Sequence, residues 1–101
     1  MRNENILRLV KRMEQDEFTT MLVEKELGMS LGRTRDRWCT VNRLLDELTT
    51  EKPEDFRQYI KNQEEDLYNK SRQELEHNLN LAHYYRTAWA MIYDILQEID
   101  R

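Results

Sequence analysis

Apolar residues return every three or four positions along most of this chain. Ile6, Leu7, Val10 and Met13 follow Asn3 at helical spacing, so Asn3 reads as an N-cap. The pattern continues through Phe18, Met21 and Leu22 to Leu27, and Gly28 stands where a glycine ends a helix. These positions predict helix 1 at about 4–27. Gln15, Asp16 and Glu17 mark either an outer face or a short break near 15–19.

Leu31, Thr34, Trp38, Val41, Leu45 and Leu48 alternate steps of three and four, and Leu44 widens their stripe. With Ser30 as its cap, helix 2 is predicted at about 30–49. Pro53 is tolerated in a first helical turn. No glycine or proline follows it. Residues 53–100 therefore read as one long helix 3, about 70 Å at the α-helical rise. Ser71 and Glu74 fit the capping-box spacing, which makes a break near 69–71 the alternative.

The end of the chain carries two adjacent apolar seams. One holds Ala82, Tyr85, Trp89, Ile92, Leu96 and Ile99; the other holds Leu81, Tyr84, Ala88, Met91 and Ile95. A helix that is apolar over two seams needs more than one neighbour. Helices 1 and 2 are one source of that cover; on an unbroken helix 3, a second chain supplies it. Tyr84, Tyr85, Trp89, Ile92, Leu96 and Ile99 are thus the candidate dimer or partner interface.

Composition narrows the class. Charged residues make up 36% of the 101 and the hydrophobic set 39%, so the core is thin. Two glycines and one proline are too few for the turns of an all-β domain. Good helix formers dominate. The expected fold is all-α: a small bundle of three helices, or four if helix 3 breaks, dimeric and of coiled-coil character, in one domain over 1–101. One cysteine, Cys39, forms no internal disulfide, which fits a reducing cytoplasm. The longest near-apolar stretch, 88–93, is too short to span a bilayer, so no membrane association is expected.

The charge is uneven. Residues 1–43 carry nine Lys/Arg against seven Asp/Glu, and residues 44–101 carry seven against thirteen. Arg33, Arg35 and Arg37 are the candidate phosphate or carboxylate contacts. Arg33 and Arg37 share one edge of the helix 2 stripe, and Arg35 lies on the other. Glu64, Glu65 and Asp66 are the candidate acidic docking face, a negative rod able to meet a basic surface.

No short catalytic or nucleotide-binding motif is present, and no cofactor is expected. His77 and His83 are six apart, the wrong spacing for a metal pair on one helix face. Two functional readings remain. The first is a non-enzymatic protein–protein module: an adaptor, chaperone or inhibitor of a larger partner, with a virus-encoded inhibitor among the options. It would self-associate as a homodimer. The alternative is a small DNA-binding regulator with a degenerate helix-turn-helix in 17–48, where nucleic acid is the partner.

Overall fold

The computed structural model describes all 101 residues. It contains α1 (Asn3–Glu26), α2 (Gly32–Thr50), α3 (Phe56–Gln73) and α4 (Leu79–Ile99), with a short 3-10 turn at Glu74–Glu76. There are no strands, and the chain is an all-α bundle. No helix is long and apolar enough to cross a membrane.

α1 runs without the break considered near 15–19. Asn3 is not its cap. The N-cap is Arg2, and the Asn3 side chain instead grips the start of α3: it donates to the Glu54 carbonyl at 2.9 Å and accepts from the Phe56 N–H at 3.1 Å. Gly28 does end the helix. It takes φ +70°, and the Gly28 and Met29 N–H groups reach back to the Lys25 and Glu24 carbonyls, a Schellman closure. Leu31, not Ser30, precedes α2 as its N-cap. Pro53 stays outside the helix, because Asp55 caps α3 through the Gln58 N–H.

The 70 Å helix is not formed. The chain turns at 74–78, just beyond the alternative break near 69–71. Asn78 sets the restart. It is extended, and its side chain accepts from the Leu81 N–H at 3.1 Å. The Ser71–Glu74 capping box is not used: Ser71 is buried inside α3 and donates to the Tyr68 carbonyl. Folding back has a clear driving force. It lets α4 bury Ala88, Met91, Ile92, Ile95, Leu96 and Ile99 within its own chain. Ile92, Leu96 and Ile99, expected at an interface between chains, are therefore core residues of the single chain.

The topology is two antiparallel hairpins. Contacts between Glu14 and Trp38, Glu17 and Arg37, and Glu24 and Thr34 run down α1 and up α2. Those between Arg57 and Asp100 and between Tyr68 and Trp89 do the same for α3 and α4. Tyr59 ties α3 to α2 through Glu47. The shared core takes Ile6, Leu9 and Val10 from α1, and Val41, Leu44 and Leu48 from α2. Phe56, Ile60 and Leu67 of α3 and the α4 set complete it.

No residue of α1 beyond Val10 is fully buried. The closed end of the α1–α2 hairpin thus projects from the core as an arm. The radius of gyration shows it: 14.0 Å, against about 13 Å for a compact chain of this length.

Candidate functional site

The arm is built inside out. In its second half the face of α1 that meets α2 carries Glu14, Glu17, Met21 and Glu24. Glu14 accepts from the Trp38 indole N–H at 3.1 Å. Glu17 accepts from Arg37 Nε at 3.0 Å. Glu24 pairs with the Thr34 hydroxyl. The apolar residues lie elsewhere: Phe18, Leu22, Val23, Leu27 and Met29 are all exposed, from 41% at Phe18 to 69% at Leu27. Phe18 leans on Trp38 with ring centroids 5.7 Å apart. Thr19, Leu22, Val23, Glu26 and Leu27 line one shallow trough on the outer face. The apolar pattern of helix 1 runs through Phe18, Leu22 and Leu27, yet all three are exposed.

The total exposed surface agrees. It is 6849 Å², against about 6,200 Å² for a typical monomer of this mass.

Arg37 is not free to bind a ligand. Its second nitrogen donates to Asp94 at 2.8 Å, so one guanidinium joins α1, α2 and α4. Burial alone would lower its pKa, but the hydrogen bonds to Asp94 and Glu17 outweigh that and hold the charge more firmly. Arg33 and Arg37 do line one open concavity of about 490 Å³, with Glu17, Thr20, Glu24, Ser30 and Thr34. A phosphate entering it would meet two carboxylates. Arg35 is exposed and lies outside that lining.

In the 17–48 segment, α1 and α2 are joined by the turn at 27–31 and touch from Glu24–Thr34 to Glu14–Trp38.

The acidic rod is shorter and less bare than expected. α3 has 18 residues. Lys61 pairs with Glu64 at 3.1 Å and Lys70 with Asp66 at 3.0 Å, so only Glu65 of the three lacks an ion-pair partner. No group of three or more His, Cys, Asp or Glu side chains is placed to hold a metal ion.

Of the remaining predicted interface residues, Tyr84 and Tyr85 are half-buried and meet edge to face at 5.7 Å. Trp89 is half-buried and stacks on Tyr93 at 5.2 Å. Sequence reasoning missed its other neighbours. Tyr68 lies 5.9 Å from Trp89, Arg86 sits 4.9 Å over the indole, and Arg72 sits 5.8 Å over Tyr68. Arg86 is three positions before Trp89, the one signal that a cation and an aromatic share a helix face. Tyr68 and Arg72 reach the cluster only through the hairpin.

Comparisons with protein-family models, with curated proteins and with solved structures give no match to this chain.

Proposed function

We propose that this chain is a non-enzymatic helical interaction module that pairs with a second copy through the outer face of α1. One observation carries the reading: five large apolar side chains stand exposed on the arm, while charged ones fill its inner face. Uncovered apolar patches of this kind mark protein-binding surfaces. The interface moves from the C-terminal seam to α1, because the seam is spent on the chain's own core.

The apolar trough favours a second copy as the occupant, since one patch can cover itself about a two-fold axis. Arg8, Lys11 and Arg12 are exposed toward one end of α1 with Glu4, and Glu26 toward the other with Lys25. None of them has an ion-pair partner within 4 Å in the chain. An antiparallel copy that sets Thr19 opposite the second copy's Leu27 brings the two Val23 side chains together and closes the apolar trough. A parallel copy would set like charges together. Two-fold pairing of one patch with itself is the commonest symmetry of small assemblies. The exposed Cys39 thiol fits a reducing compartment. An adaptor or inhibitor role for the paired module belongs to the same proposal.

Sedimentation equilibrium tests it. The wild type should approach twice the 12.5 kDa chain mass in the micromolar range. Leu22→Glu should remain a monomer with unchanged helicity, since Leu22 has no core behind it. A wild type that stays monomeric at several hundred micromolar overturns the reading.

A further inference from the structure

The closed end of the α3–α4 hairpin carries a second surface of different chemistry. A concavity of about 340 Å³ opens between the end of α3 and the start of α4. Buried Ser71 and Ala82 form its floor, and Leu75, Leu79, His83 and Arg86 form its walls. Leu75 and Leu79 are 57% and 70% exposed, high values for leucines that face each other across a turn. The volume is at the small end for ligand sites and suits one or two apolar side chains. The Ser71 hydroxyl is already engaged by the Tyr68 carbonyl, so the floor presents no unmet polar group.

Arg86 belongs to both the concavity and the aromatic cluster beside it. Its guanidinium lies 4.9 Å over the Trp89 ring and 6.0 Å from Tyr68. Arg72 lies over the other aromatic of the pair, Tyr68. Neither arginine has a carboxylate within 4 Å. A guanidinium drawn to a ring by cation–π attraction still has N–H donors to offer a carboxylate. That attraction also removes part of the rotamer entropy that such a contact would otherwise cost. Glu74 and Glu76 of the 3-10 turn do not line the concavity, so they do not fill that fork.

We propose that this end of the hairpin binds an acidic, apolar segment of a partner protein: a bulky apolar side chain enters between Leu75 and Leu79, and a neighbouring Asp or Glu accepts from Arg86. Charge complementarity selects this occupant. A basic or uncharged apolar segment leaves Arg72 and Arg86 unmatched. A single-stranded nucleic acid would use the rings and the cations but not the leucine-walled hollow. The proposal is independent of α1 pairing, since the two surfaces lie on different hairpins.

Trp89 supplies the readout. The Trp38→Phe variant leaves it as the only tryptophan. The probe is a capped peptide of about eight residues with a Phe-Leu pair flanked by Asp on both sides, long enough to span the hollow and the arginine fork together. It should change Trp89 emission saturably, and rising salt should weaken it. Arg86→Gln should weaken it about tenfold or more, the loss of one charge-assisted hydrogen bond. Leu79→Ser should weaken it comparably. Both positions are exposed, so helicity should hold in each variant. Replacing Phe-Leu by Ser-Ser, or Asp by Lys, should abolish binding. The proposal is overturned by no response to the Asp peptide at millimolar concentration. It is also overturned by equal binding to the Lys peptide or to Arg86→Gln, or by binding of an oligothymidylate in place of the peptide.

Discussion

Ile92 separates a core residue from an interface residue. It lies on the α4 seam that would face a second chain if α4 were part of one long helix. In the folded chain it is fully buried in a cluster of 15 apolar residues drawn from all four helices. Ile92→Val deletes one buried carbon and should cost about 0.5–1.5 kcal/mol, and Ile92→Ala about 2–5 kcal/mol. Only 20 of 101 residues are buried, so total stability belongs near the low end of the ordinary range, about 5 kcal/mol. Ile92→Ala therefore removes about half of it or more. At about 4–8 °C per kcal/mol for a domain of this size, Ile92→Val should lower Tm by several degrees and Ile92→Ala by well over ten. Circular dichroism melts and urea titrations at several protein concentrations give the answer. The loss should be the same at every concentration, because the side chain packs within one chain. A loss under about 1 kcal/mol for Ile92→Ala, or one that appears only where copies associate, would refute the placement of Ile92 in the core.

Further outcomes follow from the polar ties. Arg37→Gln should cost about 1.5–3 kcal/mol in urea titrations, since Glu17 loses its charged partner in a mostly buried setting. Asn78→Ala should cost about 1 kcal/mol and raise hydrogen exchange first at 79–82, the turn that Asn78 caps. The Tyr59 hydroxyl is pushed above the ordinary phenol range, first by burial and then by its hydrogen bonds to Glu47 at 2.7 Å and Glu51 at 3.0 Å. The fold thus favours the neutral phenol. Its stabilising effect is complete below pH about 10 and is lost as pH rises beyond that. Ultraviolet titration should show a late tyrosinate step that is missing in Tyr59→Phe.

Much of the fold was legible because local signals and burial agree. The Leu31-to-Leu48 stripe predicts α2 to within two residues, and the glycine at 28 closes α1 where the apolar pattern stops. The break near 74–78 was half legible. Asn78 is a good cap, but no proline or glycine marks the stop, so only tertiary burial decides between one long helix and two short ones.

The arm was misread for a reason visible in the spacing. Val10 to Met13 keeps helical phase, but Met13 to Phe18 is a step of five, which swings the apolar stripe about 140° around the helix. Glu17 and Glu24 then occupy the inner face. A stripe that changes phase within one helix has two apolar faces, and here the chain covers only the first of them. The Arg33, Arg35 and Arg37 cluster looked like a site because linear proximity hides the partners of Arg37, which come from α1 and α4. The Trp89 cluster was missed for the same reason in reverse: half of it comes from α3.

Disulfide trapping tests α1 pairing most directly. Thr19→Cys and Leu27→Cys, each in a Cys39→Ser background, are mixed in equal amounts and oxidised gently. Antiparallel pairing predicts a mixed disulfide dimer that forms readily in the mixture and poorly in either variant alone. Equal trapping in the single-variant samples, or none in the mixture at high protein concentration, would contradict it.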